Sequence, residues 1–260
     1  MAMYLALLAL LLTTASLLSA RELFSKRVGS RIVNGQEIDI ALVPWQVALR
    51  RLDRNRCGGS IYSPNIVITA AHCVSDKKVR QYSVRAGSSN AYEGGQFIAV
   101  DSIWLHEHYY RITLENDIAV VRLAEPLELG TLVQPIRLAT QSPPNEAPAY
   151  VSGWGYTGYL IPDYLHGVDL KIVSYEQCKK YYTPRGLFKD MICALERWKD
   201  ACWGDCGGPL VSNGELVGIV SWGSDCTKPV KQPGVYANVA YFHDWLLKAI
   251  ESLETNLTHI

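Results

Sequence analysis

Gly204-Asp205-Cys206-Gly207-Gly208-Pro209 is a glycine-rich turn around a thiol. The interpretation of this turn depends on two earlier segments of the chain. Thr69-Ala70-Ala71-His72-Cys73 places a histidine beside a cysteine. Asn116-Asp117-Ile118-Ala119-Val120-Val121 places a carboxylate at the start of an apolar strand. Each run alone is typical of a packed histidine, a turn aspartate or a plain glycine turn. A nucleophile, a base and an orienting carboxylate together are the groups that nucleophilic catalysis requires.

The chain around these runs has the pattern of an antiparallel β protein. Short segments rich in Val, Ile, Tyr and Trp alternate with Gly, Pro, Asn and Ser, which predicts many short strands in barrels or a sandwich. The examples are Trp45–Leu49, Ile66–Thr69, Phe97–Val100, Ile118–Leu123, Tyr150–Ser152, Leu216–Trp222 and Gly234–Val239.

Two other segments differ from this pattern. A proline-rich stretch from Gln141 to Pro148 is a candidate bridge between two halves of the chain. Apolar residues recur at spacings of three and four between Val239 and Leu253, which predicts a terminal amphipathic helix.

The N-terminal segment predicts secretion. Tyr4 to Leu18 is almost wholly apolar and is followed by Ser19-Ala20, so residues 1–20 have the form of a signal peptide. The alternative is an uncleaved signal anchor, which the absence of a basic cluster before the apolar run disfavours. No other segment is apolar enough to span a bilayer.

Composition narrows the class of protein further. Hydrophobic residues make up 48% of the 260 residues, which is enough to bury a core, and 25 Lys and Arg balance 25 Asp and Glu. This zero net charge gives no global indication of a nucleic-acid partner or an anionic membrane surface. The seven cysteines cannot all pair within one secreted chain, so one is left over.

The three runs together resemble the trypsin family, over Ile32 to Leu253. The resemblance implies an all-β fold of two six-stranded antiparallel β-barrels, with a C-terminal α-helix and the active site in the cleft between the barrels. It divides the chain into a signal peptide (1–20), an activation propeptide (21–31) and a peptidase domain (32–260) with a bridge near 139–149. We expect a monomer.

The resemblance assigns roles to the catalytic residues. His72 matches the general base and acid, and Asp117 matches the carboxylate that holds its tautomer. Cys206 stands where the family has its nucleophilic serine. The backbone N–H groups of Gly204 and Cys206 match the oxyanion hole. No metal ion or cofactor is implied.

The family's disulfides account for six of the seven cysteines. The implied pairs are Cys57 with Cys73, Cys178 with Cys193, and Cys202 with Cys226, so that Cys206 is the odd thiol. One alternative is that Cys206 is only a small buried residue in a serine-sized space. Another is that Cys206 displaces Cys226 as the partner of Cys202.

The resemblance also implies a substrate. Asp200 matches the floor of the primary pocket, where a carboxylate pairs with Arg or Lys of a peptide. Gly223 and Gly234 match the pocket walls, and Ser221 begins the edge that pairs with the substrate backbone. The alternative for Asp200 is an ordinary exposed loop charge. Trp203 is bulky at the pocket entrance and departs from the family pattern.

Activation is implied by the junction between Arg31 and Ile32. An activating trypsin-like protease would cut there, and the new ammonium of Ile32 would turn inward to pair with Asp205 and order the pocket. The alternative is that Arg31 is an inert basic residue of a flexible tail.

Two features lie outside the family pattern. Arg50, Arg51, Arg54 and Arg56 crowd one loop, which is an exosite for an acidic partner or a solvated loop, and we favour the solvated loop. Asn256 opens a glycosylation sequon.

The sequence leaves two functional hypotheses. The first is a trypsin-like endopeptidase that cleaves after Arg or Lys with a thiol and with impaired turnover. The second is a catalytically inactive homologue that acts as a binding or regulatory module. Retention of His72, Asp117, Asp200 and Asp205 favours the first, and the exchange of serine for Cys206 favours the second.

Overall fold

The first part of the fold is a closed antiparallel barrel of six strands. The computed structural model describes residues 35–157, 160–182, 186–197, 201–223 and 232–255. A two-residue strand, β1, comes first, and the barrel strands β2 to β7 follow in the order β2-β3-β4-β7-β6-β5, with β5 pairing back to β2. Their bounds are Gln36–Glu37 (β1), Gln46–Arg51, Arg54–Ser63, Ile66–Thr69, Tyr82–Ala86, Gln96–Leu105 and Ala119–Leu123 (β7).

The second part is another six-stranded antiparallel barrel. A short strand β8 (Arg137–Leu138) runs parallel to β13, and the barrel closes through the pairing of β9 with both β12 and β10. The strands are β9 (Pro148–Gly153), β10 (His166–Val173), β11 (Met191–Leu195), β12 (Pro209–Ser212), β13 (Glu215–Trp222) and β14 (Gly234–Asn238). The prediction of two six-stranded barrels is therefore confirmed.

In the part of the chain that the structure describes, three helices complete the fold: α1 (Ala71–Val74), α2 (Tyr175–Tyr181) and α3 (His243–Thr255). Single 3-10 turns lie at Ile40–Leu42 and Val79–Gln81. The apolar face of α3 joins the core of the first barrel, so the C-terminal segment crosses back to the N-terminal half. Among the residues described, no helix is both long and apolar enough to cross a membrane.

Two sequence-based boundaries differ from the structure. The terminal helix begins at His243 rather than Val239, because the Val239 N–H still donates to the Val217 carbonyl as an extension of the sheet. The strand predicted at Phe97–Val100 extends over all of β6. The proline-rich stretch from Gln141 to Pro148 lies between β8 and the start of β9.

The disulfide bonds between described cysteines are those that the family resemblance implies. Disulfides join Cys57 to Cys73 and Cys178 to Cys193. Cys202 is also disulfide-bonded, and its expected partner Cys226 lies outside the described residues. Among the described cysteines, Cys206 alone is free.

Candidate active site

The histidine and the first carboxylate meet at one end of the first barrel. His72 lies on α1, directly after β4, and the Cys57–Cys73 bond ties this helix to β3. Asp117 immediately precedes the segment that enters β7, the strand beside β4. Asp117 Oδ2 is 2.7 Å from His72 Nδ1, and Asp117 Oδ1 accepts the backbone N–H of His72 at 2.8 Å. The two bonds orient the imidazole and its backbone together.

The Asp117 carboxylate is buried and held from the second barrel as well. Its side chain is 1% exposed, and Ser221 Oγ on β13 donates to Oδ2 at 2.5 Å. One residue earlier, Asn116 adopts a left-handed φ of 54°, and its N–H donates to Asp190 Oδ2 at 2.7 Å. A non-glycine residue with positive φ needs such support. Asp190 therefore fixes the turn that presents Asp117.

The thiol lies on a turn that is held from both barrels. The Cys206 carbonyl accepts from Gly58 N on β3 at 2.7 Å, while Gly207 N donates to Val220 on β13 at 2.8 Å. Gly207 has φ +79°, and a Cβ there would lie 2.2 Å from Thr69 Oγ1. Only glycine fits so close to the first barrel. The turn is therefore clamped where the two barrels meet.

Two backbone N–H groups of this turn have no backbone carbonyl as acceptor among the described residues. Within the described part of the chain, the N–H groups of Asp205, Gly207 and Gly208 donate to backbone carbonyls, and those of Gly204 and Cys206 do not. Gly204 has φ +101°, a conformation that side chains disfavour. The arrangement leaves two donors beside the thiol that can stabilise negative charge.

The electrostatics of His72 follow from its neighbours. Burial alone would lower its pKa, but the charge and hydrogen bond of Asp117, together with the hydrogen bond and charge of Cys206, raise the pKa to about 10. With that pKa the imidazole is protonated at neutral pH.

Asp205 is a fully buried carboxylate behind the thiol. Burial raises its pKa to about 6, against the opposing effect of backbone N–H groups of Cys202 and Gly155, at 2.9 and 2.7 Å. A Cβ on Gly155 would lie 2.3 Å from Asp205 Oδ2, and one on Gly153 would lie 2.2 Å from Oδ1. The two glycines therefore make the space that this carboxylate occupies.

A cavity of about 250 Å³ opens next to Cys206. Its lining comes from the segment around Ala201, from the end of β13 and from the start of β14, and it includes Ser221, Gly223 and Gly234. These three predicted substrate-binding residues therefore come together around one cavity that also includes the thiol. Asp200, the predicted floor, lies outside the described residues, although Ala201 is part of the lining.

Trp203 stands at this cavity and remains 64% exposed. Its carbonyl accepts the N–H of Tyr156 at 2.7 Å, and the two rings lie 6.0 Å apart. The segment around Tyr156 therefore supports the tryptophan. Trp203 was predicted from the sequence to lie at the pocket entrance, but no local pattern indicated Tyr156 as its partner.

The predicted site residues that lie outside the described residues are Arg31, Ile32, Asp200, Cys226 and Asn256.

Asp190 was missed by sequence reasoning, because a Lys-Asp pair before a strand is typical of an ordinary turn.

The arginine-rich loop is not uniformly solvated, contrary to our expectation. Arg50 is 7% exposed and stacks over Tyr92 and Phe97, at 5.5 and 5.2 Å from the ring centroids. Its guanidinium also donates to the Asp53 carbonyl. Arg54 and Arg56 are exposed.

Comparisons with known proteins agree with this geometry. A sequence profile of the Trypsin family matches residues 32–246. Trypsin epsilon of Drosophila erecta is 44% identical over 225 residues, covering 85% of this chain and 88% of that protein. Hypodermin-A of Hypoderma lineatum is 42% identical over 228 residues, covering 86% and 89%.

Solved structures match the same region. Neuropsin, a serine protease expressed in the limbic system of mouse brain, is 36% identical with a TM-score of 0.76, covering 83% of this chain and 98% of that one. The scabies mite inactivated protease paralogue S-D1 is 29% identical with a TM-score of 0.77, covering 84% and 96%.

Proposed function

Because the chain belongs to the trypsin family, we propose that it is a secreted endopeptidase, made as a zymogen, which cleaves after Arg or Lys with Cys206 as its nucleophile. The observation that carries the proposal is the pairing of His72 with the buried Asp117, beside Cys206, whose charge also raises the pKa of the imidazole. Turnover is impaired relative to a serine enzyme, because the larger sulfur sits in a site that otherwise retains the parts of a serine protease.

The chemistry proceeds in two stages. The Cys206 thiolate attacks the scissile carbonyl, and the N–H groups of Gly204 and Cys206 stabilise the oxyanion. The imidazolium of His72 gives its proton to the leaving amine, which leaves a thioester on Cys206. Water then attacks the thioester while His72 takes its proton, which releases the acid product and restores the Cys206 thiolate beside the His72 imidazolium. Asp117 stabilises the imidazolium throughout.

The substrate preference rests on the cavity and on one residue beside it. Glycines at 223 and 234 leave the lining open for a long side chain. Asp200 directly precedes Ala201 of that lining, where a carboxylate would pair with a guanidinium or an ammonium. The substrate is therefore a peptide or protein with Arg or Lys before the scissile bond.

The zymogen proposal rests on Asp205. Its buried carboxylate has no cationic partner among the described residues, and burial raises its pKa. A buried carboxylate gains most from a cation that reaches it. Cleavage after Arg31 by a trypsin-like protease would create one at Ile32.

An inactive binding module is the second candidate. Cys206 in place of serine favours it, and the inactivated mite paralogue shares the fold. As an inactive homologue, the protein would bind peptides in the same cleft without turning them over.

One experiment separates the two candidates. The protein, cut after Arg31, is given an Arg peptide ester and the matching amide, with and without iodoacetamide. Hydrolysis that the thiol reagent abolishes, faster on the ester than on the amide, supports the peptidase, since an ester has the better leaving group. Binding of the peptide with no hydrolysis of either substrate contradicts the peptidase and supports the module.

A further inference from the structure

A second, larger cavity lies on the other side of His72. It measures about 590 Å³ and is separate in its lining from the cavity at Cys206. Its lining includes His72, Cys73 and Tyr82. Anything bound in it would touch the histidine that the proposed reaction uses.

The walls of this cavity are basic. Arg51, Arg56, Lys77 and Arg111 line it, against only Asp76 and Glu107. The chain as a whole carries equal numbers of acidic and basic side chains, so this excess is local. A concave surface of one sign concentrates the field and attracts groups of opposite charge.

Most of the basic groups are not neutralised by protein. Both carboxylate oxygens of Asp76 already have partners: Oδ2 is 2.6 Å from Arg51, and Oδ1 accepts a hydrogen bond from the Tyr82 hydroxyl at 2.9 Å. In the described part of the chain, neither Arg56, Lys77 nor Arg111 forms an ion pair. All three side chains belong to exposed residues.

The three cations come from separate segments that the fold brings together. Arg56 is on β3, Lys77 follows α1, and Arg111 lies in the loop between β6 and β7. Lys77 has a left-handed φ of 53°, a conformation unusual for lysine. The Asp76 carboxylate supports this turn by accepting the Lys78 N–H at 3.2 Å.

We propose that this basic cavity beside His72 binds an acidic polypeptide segment, so that the preferred substrates carry Asp or Glu close to the scissile bond. This inference rests on the proposed function, because it takes the acidic segment to be part of a substrate. A peptide whose scissile bond lies at Cys206 must pass His72. An extended chain advances about 3.3 Å per residue, so acidic side chains within a few residues of the bond reach these cations.

The test measures binding and hydrolysis separately. A fluorescent hexaglutamate peptide is titrated into the full-length protein, cut after Arg31, at about 0.05 M and about 0.3 M salt. The variants are Arg56→Gln, Lys77→Gln and Arg111→Gln, singly and combined. Arg137→Gln is the matched control, since Arg137 is an exposed arginine of the second barrel with a side chain 80% exposed.

We expect the triple variant to lose about tenfold or more of the wild-type affinity at low salt, and Arg137→Gln to lose none. A peptide with three Glu beside its Arg should show a higher kcat/KM than one with three Gln, and the triple variant should remove this difference. Hydrolysis of a small Arg ester, which has no acidic side chains to pair with Arg56, Lys77 or Arg111, should stay the same.

Equal hexaglutamate affinity in the wild type and the triple variant would overturn the inference. Tighter binding of a sulfated hexasaccharide than of hexaglutamate would also overturn it, in favour of a polysaccharide site. Retained hexaglutamate binding with no ester hydrolysis would support the proposed binding of acidic segments. It would contradict only the peptidase proposal.

Discussion

At the scale of single residues, the exchange of oxygen for sulfur at position 206 has a predictable cost. The turn that carries Cys206 is clamped by Gly58 and Val220, so it cannot move away to accommodate a larger atom. The distance from the nucleophile to the carbonyl carbon and the fit to the oxyanion donors therefore change together.

Cys206→Ser should raise kcat/KM on an Arg amide by about 10²–10³-fold, the cost typical of one misplaced oxyanion donor. The measurement compares the two proteins on one substrate after cleavage at Arg31, with Cys206→Ala as the inactive control. Correct processing without activity in Cys206→Ser would contradict the prediction and point to another lost part, with Trp203 the first to test.

The raised pKa of His72 is a second prediction at this scale. Asp117→Asn removes the largest cause that raises the pKa of His72, so this pKa should fall well below about 10, with burial lowering it and Cys206 alone still raising it. NMR titration of the imidazole measures this. Asp101→Asn, which removes the exposed partner of Arg122, is the control and should leave His72 unchanged.

The same shift predicts how stability depends on pH. A histidine whose folded pKa is raised contributes its full stabilisation below its ordinary pKa near 6.5 and loses it as the pH rises towards about 10. Asp117→Asn should flatten the fall in unfolding free energy between these values. An unchanged pH profile would contradict the assignment.

At the scale of elements, the segment after β9 forms the space behind the thiol. Gly155→Ala would place a Cβ 2.4 Å from Asp205 Cγ, and such overpacking typically costs about 1–3 kcal/mol. Urea denaturation of the wild type and the variant measures the loss.

Gly130→Ala is the matched control, because no heavy atom lies within 4 Å of the added Cβ. We expect it to leave the unfolding free energy nearly unchanged. Equal stability of Gly155→Ala and the wild type would show that the Asp205 carboxylate has another position to occupy.

At the scale of the whole molecule, activation should couple the N-terminus to Asp205. Without a cation, the raised pKa of Asp205, about 6, means that the stability of the uncut protein falls as the pH rises from about 4 to 6. A new ammonium at Ile32 would favour the charged carboxylate and oppose this fall.

The melting temperature of the cut protein minus that of the uncut protein should therefore be larger at about pH 7.5 than at about pH 4. Calorimetry of the two forms gives the difference, and Asp205→Asn should remove its pH dependence. N-terminal sequencing first verifies that the new chain begins at Ile32. A difference that is independent of pH would contradict the ion pair.

The sequence by itself determined the class of fold and predicted the central residues of the site. Short β-rich segments between turns indicate antiparallel barrels or a sandwich because the alternation is local, and the resemblance to the trypsin family selects two barrels. His72, Asp117 and Cys206 stand in runs whose residue types are those of nucleophilic catalysis. The odd number of cysteines likewise required one free thiol, and Cys206 is free in the structure.

Only the tertiary structure decided which distant residues meet. The contact between Asp190 and Asn116 spans 74 positions, and the cations at Arg56, Lys77 and Arg111 converge only because three segments close around His72. The burial of Arg50 depends on the same kind of packing, against Tyr92 and Phe97. Such contacts follow from strand register and barrel closure, which place residues side by side irrespective of their separation along the chain.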